Sequence, residues 1–563
     1  MYSGGWVVDQ NEEAVVQSQK AKTDRNHSFS KKLWYELYSS KPSSSGCQGI
    51  GNSSVVFKCL GSPRRYRGES HHISVVFPEP SASGSQARFI DIDVDENSEN
   101  QEYSSWNVLP DLLLEEIFSY LSIRERYYAS LVCRSWYRAF HLPYVWKQFI
   151  LEDSTLTRSK FNYYLGWQYV LDHLRTSLCL SSIGKHIKTL IIKPMFSFTN
   201  LYDFVNILSW YTEQQEQKDN IVLGIGGNVR HLKFTFPCNM TTEEDDERIR
   251  LFGTGGKLLA ALKRLMGNLK KMESLELVDL MLEPNEAQFL LDEVCQMCQM
   301  SMKKLRLVNT TKVPYQILHV GVFLNLFELH ISPQNIGNDL AEMLGFTHLK
   351  HLHLVQNRYT IDEGFIKPVC QRIWKKVRTT NPRLNVHLEV ESKKYRSVVW
   401  QEGAPVRSIV YNSPLIGVKA DILLNTIDVF REDLRIYGHL NVPEFEVSKL
   451  FDSRNDESYF MLVRTCTYLS TLIITERIST STVLLLAYTG RNLKWFHVRG
   501  TDVIEQCDWP KGVEWTDDFY AWLELNSQSY ESVEKEISQI LGYRWKFLSD
   551  DEFLNLEVDL HDY

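Results

Sequence analysis

The sequence predicts an α/β protein with a small helical module followed by a solenoid of strand-and-helix repeats. Large apolar side chains recur at helical spacing within residues 106–149, and a short pattern of alternating apolar residues returns many times between residues 187 and 498. Spacing of three and four residues indicates helices, whereas alternation at period two indicates strands. The 563 residues exceed the length at which a single core stops growing, about 250–300 residues, so we expect several domains.

Residues 1–105 differ from the rest of the chain in composition. They are rich in Ser and Gly and end in an acidic stretch at 91–102. Such composition buries too little apolar surface to offset the chain entropy that folding removes, so we expect most of this segment to be disordered. Two short β-like runs, Val55–Phe57 and Ile73–Phe77, either pair with each other or act as docking peptides.

Residues 106–150 are expected to form a compact three-helix module. Pro110 suits the start of a helix, because its fixed φ matches the first turn and its missing N–H would have no partner there. Apolar residues at three- and four-residue spacing then predict the first helix. They are Leu113, Leu114, Ile117, Phe118 and Leu121. A second helix is predicted to carry both Ala129 and Trp136. A unit this small cannot bury so many large side chains alone, so it needs a partner.

This segment resembles the F-box, the motif through which substrate receptors of ubiquitin ligases dock onto the adaptor protein Skp1. The similarity rests on pieces of sequence that follow one another in the same order. They are Leu109-Pro110, Leu113, Ile117-Phe118, Leu121, Val132-Cys133-Arg134-x-Trp136 and Val145-Trp146. Two positions depart from the usual pattern, because Leu112 replaces an acidic residue and Arg126 replaces a leucine. An ordinary helical hairpin within a larger domain is the alternative.

The resemblance implies that the module binds Skp1 and, through Skp1, reaches a cullin and a RING protein. It also implies which side chains take part. The Skp1-binding residues would be Leu109, Pro110, Leu113, Ile117, Phe118, Leu121, Val132, Cys133, Trp136 and Trp146.

A six-residue pattern repeats after the module. It consists of an apolar residue, two residues of any type, a leucine or similar residue, one residue of any type, and a final apolar residue. Eight good copies follow it. Their central positions are Leu190, Leu232, Leu275, Leu305, Leu329, Leu352, Leu472 and Phe496. A weaker copy contains Val386-His387-Leu388. Each copy alternates as a short half-buried strand does, so stacked copies would share one core.

Helix-like stretches lie between the copies, for example at 258–269, 286–297 and 340–344. A strand plus a helix in each repeat is typical of a leucine-rich-repeat solenoid, which we expect over residues 151–500. The solenoid should be irregular, because most copies lack the asparagine of regular repeats; Asn309 and Asn357 are partial exceptions. An α/β core whose strands share the pattern by chance is the alternative.

Residues 501–563 are predicted to form a helical cap that ends in an acidic, solvated tail, because an end repeat without a cap exposes its core. An F-box followed by loosely periodic repeats resembles the F-box-only group that contains proteins thirty-three and thirty-nine. Three pieces of sequence suggest this group. They are Arg124-Glu125-Arg126, Asn381-Pro382-Arg383-Leu384 and Arg544-Trp545-Lys546.

Nothing in the sequence predicts an enzyme, a cofactor or a metal site. Cys295-x-x-Cys298 lacks the second pair of ligands that a zinc site needs. None of the ten cysteines has neighbours that would activate a thiolate. The glycines at 224–227 and 253–257 lack the spacing of nucleotide-binding loops.

Charge and hydropathy limit the classes of binding partner that we expect. The net charge of −8 disfavours nucleic acid as the principal partner. Apolar runs are far shorter than the about 20 residues of a membrane span, so no membrane partner is expected. Scattered cysteines and the absence of a secretory signal at the start predict an intracellular protein, cytoplasmic or nuclear, with reduced thiols.

The leading functional prediction is therefore a non-catalytic substrate receptor of a Skp1–cullin–F-box (SCF) ubiquitin ligase, with an unidentified protein substrate bound by the repeats. One alternative is a Skp1-binding scaffold without ligase function. The other is a protein-binding repeat module whose F-box has lost its role.

Substrate binding is predicted on the sheet surface. In each copy the residue between the leucine and the last apolar position points away from the core. Arg306, His330 and His353 hold this position in successive copies, and as a ladder they would grip an acidic or phosphorylated segment. Binding would strengthen as pH falls through about 6.5. A solvated face without a ligand and metal binding by the two histidines are the alternatives.

Overall fold

The computed structural model describes two short strands near the N-terminus and most of residues 109–561. The gaps after residue 109 are 164–165, 196, 215–223, 237–255, 393–396, 415–416, 418 and 443–448. The chain divides into two compact units, Met1–Tyr103 and Ser104–Tyr563. In the first unit, β1 (Val56–Lys58) pairs antiparallel with β2 (Ser74–Val76), so the two β-like runs pair with each other. The predicted disorder of the remaining residues of 1–105 lies outside the described residues.

Three short helices open the second unit: α1 (Asp111–Tyr120), α2 (Ile123–Ser130) and α3 (Arg134–Phe140). Ser122 and Glu125 form a capping box at the start of α2, which satisfies two N–H groups that have no partner inside the helix. Cys133 has an extended backbone, with φ −158° and ψ 170°. The prediction of one helix carrying both Ala129 and Trp136 is therefore wrong, because the chain breaks into α2 and α3 at this point.

Among the described residues of the second unit, twelve strands form one parallel sheet in chain order. They are β3 (Gln148–Leu151), β6 (Thr189–Ile192), β7 (His231–Thr235), β8 (Ser274–Val278), β9 (Lys304–Val308), β10 (Glu328–Ile331), β11 (His351–Asn357), β12 (Asn385–Glu391), β13 (Val406–Asn412), β14 (Ile436–His439), β15 (Thr471–Ile474) and β16 (Trp495–Val498). Between β3 and β6, an antiparallel pair, β4 (Thr157–Asn162) and β5 (Gly166–Leu171), stands apart from this sheet.

Helices connect most neighbouring strands of the sheet. They are α4 (His173–Ile183), α5 (Phe198–Gln214), α6 (Lys257–Asn268), α7 (Pro284–Cys298), α8 (Asn338–Leu344), α9 (Gln371–Thr380), α10 (Ala420–Phe430), α11 (Asp456–Thr465) and α12 (Thr480–Thr489). The three helix-like stretches that the sequence marks are confirmed as α6, α7 and α8. The alternation of parallel strands with helices is that of a repeat solenoid, in which each strand is held by its neighbours.

A row of leucines runs across the sheet and forms the centre of the core. Leu190, Leu232, Leu275, Leu305, Leu329 and Leu352 are register partners from β6 to β11, one after the other. These six and Leu472 of β15 are each at most 1% exposed. The predicted repeat leucines therefore share one buried core. We call the opposite side of the sheet the outer face.

The sequence pattern missed three strands of the sheet: β3, β13 and β14. Each follows the repeat spacing with another residue in the leucine position. Phe149 pairs with Leu190, Ile409 pairs with Tyr437, and Tyr437 pairs with Leu472. A pattern that accepts any large apolar residue at this position also finds β3 and β13, whereas the copy in β14 ends on the polar residue His439. Because β3 follows the helical module at once, the module leads directly into the sheet.

Polar side chains join the ends of three strands on one edge of the core. Asn309 Nδ2 and Asn357 Nδ2 each donate a hydrogen bond of 2.8 Å to Asp279 Oδ1. Asp279 and Asn309 have φ of 60° and 49°, in the left-handed region that Asn and Asp enter more readily than most residues. In this network Asn309 and Asn357, the two asparagines noted in the sequence, take the place of a regular asparagine ladder. Asp279 accepts a hydrogen bond from each of them.

The C-terminal residues form three helices, α13 (Asp517–Asn526), α14 (Tyr530–Leu541) and α15 (Asp550–Leu554), and the segment between α14 and α15 covers the last strand of the sheet. Trp545 stacks on Phe496 of β16, and its Nε1 donates a 2.6 Å hydrogen bond to the carbonyl of Phe496. Leu548 N donates to the carbonyl of Val498 at 3.0 Å. The cap thus protects the edge that an end repeat would expose. None of the described helices has the length and apolar character that crossing a membrane requires.

Candidate docking module and histidine cluster

The interior of the helical module is small and mainly aromatic. Phe118 of α1 is 0% exposed and meets Trp136 of α3 edge-on, with ring centroids 5.8 Å apart. Phe140 meets Trp146 in the same way at 5.0 Å, and Trp146 Nε1 donates a 2.6 Å hydrogen bond to the carbonyl of Phe140. These contacts hold α1, α3 and the turn Tyr144–Trp146 together.

Arg126 holds α1 and α2 together from inside the module. It is 6% exposed, its Nε donates a 2.9 Å hydrogen bond to the carbonyl of Phe118, and its Nη2 donates to the carbonyl of Ser119 at 3.0 Å. These carbonyls belong to the last turn of α1, where helix carbonyls lack partners within the helix. Its guanidinium also lies over the Trp146 ring, 5.2 Å from the centroid. Arg126, which replaces the leucine of the usual F-box pattern, therefore has a structural role.

We expect Arg126→Ala to lower the free energy of unfolding by about 2–3 kcal/mol, because it removes two charge-assisted hydrogen bonds to carbonyls in the last turn of α1. Arg124→Ala is the matched control, since Arg124 is an exposed arginine of the same helix. Urea unfolding of both variants, followed by circular dichroism, measures the difference. Equal midpoints for the two variants would contradict this role of Arg126.

The ten residues predicted to bind Skp1 differ in exposure. Pro110, Leu113 and Val132 are exposed, with Leu113 at 52% and Val132 at 63%. Phe118 and Trp146 are buried inside the module and offer no surface. The other five are partly buried. They are Leu109, Ile117, Leu121, Cys133 and Trp136.

Further apolar side chains near the predicted residues are exposed. Leu112 is 79% exposed, and Tyr120, Tyr128 and Tyr144 are exposed as well. Soluble proteins rarely leave so many large apolar groups in water within one small module unless a partner covers them. Leu112, a departure from the expected pattern, thus adds apolar surface to the module.

On the outer face of the sheet, Arg306, His330 and His353 are register partners on β9, β10 and β11, as the ladder prediction requires. The row continues to His387 of β12. The ring centroids of His330 and His353 are 4.0 Å apart, and those of His353 and His387 are 4.3 Å apart. His387 belongs to the weaker copy of the pattern, which was the available signal for it.

The three predicted residues do not form a free cationic ladder, because each already has a carboxylate partner. The pairs are Arg306 with Glu391 at 3.2 Å, His330 with Glu328 at 2.6 Å, and His353 with Glu389. His330 and His353 are also buried. The expectation of an open basic surface is therefore corrected. Substrate binding by these residues stays a prediction.

The predicted pH dependence is also wrong for His353. Burial lowers the pKa of His353 well below its ordinary value, and neighbouring imidazoles lower it further. The side chain therefore stays neutral as the pH falls through about 6.5, where an unperturbed histidine would gain its charge.

His387 of this row also lies close to two further histidines. The nearest ring nitrogens of His351, His387 and His561 all lie within 4.8 Å of one another. His351 Nδ1 is 3.2 Å from His387 Nε2, and His561 Nε2 is 3.0 Å from His353 Nε2. His561 belongs to the acidic tail, so the expectation of a solvated tail is wrong at this residue. No local signal in the sequence connects His561 to the sheet.

Burial keeps most of these imidazoles neutral. It lowers the pKa of His351 to about 4 and the pKa of His387 well below its ordinary value. Glu328 on the next strand keeps its charge, because hydrogen bonds from His330 and Lys304 outweigh its burial and hold its pKa well below the usual range. The outer face therefore combines neutral imidazoles with ionised carboxylate.

Comparison with known families identifies the helical module. Residues 106–152 match the family model described as F-box-like. The chain carries an F-box-like domain. The domain contains all ten residues predicted to bind Skp1 and ends one residue after β3, so it includes the first strand of the sheet.

Curated relatives match a short part of this chain. F-box/LRR-repeat protein 21 of Bos taurus is 40% identical over 57 residues, which are 10% of this chain and 13% of that protein. The protein of the same name from Mus musculus is 39% identical over 56 residues, again 10% and 13%. The match thus spans 13% of the length of these relatives. An F-box-like domain with a repeat solenoid is consistent with their names. The finer resemblance to F-box-only proteins thirty-three and thirty-nine stays a prediction.

Two solved structures align with this chain at low TM-scores. A chain from the crystal structure of the Rad7 and Elc1 complex in yeast aligns over 72% of this chain and 93% of its own length, at 13% identity and a TM-score of 0.28. An internalin from Listeria monocytogenes aligns over 57% and 76%, at 11% identity and a TM-score of 0.22. Scores this low support no argument about function.

Proposed function

We propose that this protein is the substrate-recognition subunit of an SCF ubiquitin ligase. Its F-box-like domain would bind Skp1, and the repeat solenoid would bind a protein substrate. The observation that carries this proposal is the F-box-like domain with its exposed Leu112, Leu113 and Val132. Large apolar residues at the centre of an interface typically contribute about 2–4 kcal/mol each to binding.

The proposed Skp1-binding residues act in two ways. Exposed Pro110, Leu113 and Val132 would contact the adaptor directly. Buried Phe118 and Trp146 would act through the shape of the domain, because they pack its interior. The partly buried residues of the set would contribute their accessible edges.

The chain would contribute proximity and no covalent chemistry. Holding a substrate lysine close to a ubiquitin thioester turns a bimolecular step into an effectively local one. A catalytic cysteine needs a lowered pKa. Burial instead raises the pKa of Cys179, Cys295 and Cys466 to about 12 and that of Cys298 to about 11. These thiols support the non-catalytic proposal.

Substrate would bind on the repeat solenoid, which presents side chains from many strands on its outer face. Arg306, His330 and His353 remain the proposed contacts. Because His561 lies against His353, a substrate that reached His353 would have to displace the C-terminal tail.

Co-purification of the full chain with Skp1 and a cullin tests the proposal. We expect both proteins to be recovered with the wild type, and Leu113→Asp/Val132→Asp to lose both, because each aspartate would bring an unpaired charge into an apolar interface. Leu424→Asp is the matched control, since Leu424 is also an exposed leucine on a helix, α10.

The outcomes separate three functions. If the wild-type chain recovers Skp1 without a cullin, the protein is a scaffold and the ligase assignment is overturned. If the wild-type chain recovers neither protein, it is a repeat module whose F-box-like domain has lost its role. Undiminished Skp1 recovery by the double variant would move the adaptor contact away from Leu113 and Val132.

A further inference from the structure

The histidines on the outer face have the spacing of metal ligands. His351 Nδ1 and His387 Nε2 are 3.2 Å apart. In a tetrahedral site with Zn–N distances of about 2.0–2.1 Å, two ligand nitrogens are separated by about 3.3–3.4 Å. The nearest ring nitrogen of His561 completes a group of three within 4.8 Å. Three imidazoles and one open position are a ligand set that zinc uses in proteins.

A neighbouring side chain orients the ring nitrogens of His387. His387 Nδ1 lies 2.8 Å from Ser408 Oγ of β13. If this nitrogen carries the proton, His387 Nε2 presents a lone pair to the cluster. Protein metal sites commonly fix a histidine ligand in this way, through a hydrogen bond to its other nitrogen. His353, at the rim, has the same arrangement, because its Nδ1 contacts the Glu389 carboxylate and its Nε2 faces His561.

We propose that His351, His387 and His561 bind one divalent transition-metal ion, with Zn²⁺ as the best fit, and that the ion fastens the C-terminal tail to the outer face of the sheet. Two ligands come from the neighbouring strands β11 and β12, and the third comes from the tail. The C-terminal tail would therefore cover the outer face of the sheet only when the metal ion is bound. The proposal does not depend on binding of Skp1.

Calorimetric titration of the chelator-treated full chain with Zn²⁺ tests the site. We expect one Zn²⁺ per chain at this cluster, and Ser408→Ala should weaken it about 10–100-fold through loss of an outer-shell partner. His387→Ala and His561→Ala should weaken it more, because each removes a ligand. His497→Ala is the matched control, since it removes a histidine from β16 of the same sheet.

Hydrogen exchange of residues 550–561 provides a second readout. Added Zn²⁺ should slow exchange there in the wild type and in His497→Ala, but not in His387→Ala, whose substitution lies on the sheet. His561→Ala removes only a tail side chain, so the sheet stays folded in that variant. Unchanged Zn²⁺ affinity in His561→Ala would overturn the proposal. Absence of stoichiometric binding would show that the histidines form only a hydrogen-bonded cluster.

Discussion

Replacing Asp456 by Ala should lower the free energy of unfolding by about 3–5 kcal/mol, the cost of leaving a buried charge without one of its partners. Arg454 and Asp456 are 0% and 1% exposed at their side chains, and Arg454 Nε donates to Asp456 Oδ2 at 2.9 Å. Asp456 Oδ1 also accepts from Ser479 N at 3.1 Å and from the Thr482 hydroxyl. The carboxylate thus joins the start of α11 to the start of α12.

The arginine remains paired with Asp508 in this variant, but its second carboxylate is lost. The amide of Ser479 loses its acceptor as well. Glu457→Ala is the matched control, because Glu457 is an exposed carboxylate of the same first turn of α11. We expect Glu457→Ala to cost no more than about 1 kcal/mol, the contribution of a charge near a helix N-terminus. Urea unfolding of both variants measures the difference, and a loss below about 1 kcal/mol for Asp456→Ala would contradict the assigned role.

Truncation of the leucine row should have an effect of similar size. Leu329 is 0% exposed and lies between Leu305 and Leu352 in the register of the sheet. We expect Leu329→Ala to cost about 2–5 kcal/mol, because the change removes buried methyl groups and leaves a cavity between two repeats. Repeats depend on their nearest neighbours, so the loss weakens two interfaces at once.

Leu324 provides the control for this prediction. It lies near Leu329 in the sequence but is 51% exposed. Leu324→Ala should change the free energy of unfolding by no more than about 0.5 kcal/mol, as most surface substitutions do. Thermal and urea unfolding of the two variants test the comparison. Equal stability of the two variants would show that the leucine row is not a continuous core.

The repeat architecture could be predicted from the sequence because the relevant information is local. A residue such as Leu275 faces the core because of its place in a short alternating strand, and the strand alone determines that place. The same holds for the first helix of the module, whose apolar stripe includes Leu114 and Phe118. The strands with Phe149 and Ile409 fit the pattern once any large apolar residue is accepted at the leucine position, whereas the strand with Tyr437 has His439 in place of the last apolar residue.

The register across the whole sheet could not be predicted in this way. A shift between β12 and β13 places His387 opposite Ser408 although Val386 is opposite Val406. From β13 onwards the leucine row is displaced. Leu472 aligns through Tyr437 and Ile409 with Leu388 of β12, whereas Leu352 on the other side aligns with Val386. The extra residue belongs to the pairing of two strands, and neither strand carries a separate signal for it.

The sequence by itself determined the F-box-like module, the repeats and the core leucines, because periodic spacing assigns each side chain to a face of its own helix or strand. Only the tertiary structure decided that Arg126 supports the end of α1 from within, that Arg306, His330 and His353 each have an acidic side chain as partner, and that His561 reaches the sheet. His353 and His561 are 208 residues apart. Contacts at such separation depend on how many elements stack between them, which no local pattern encodes.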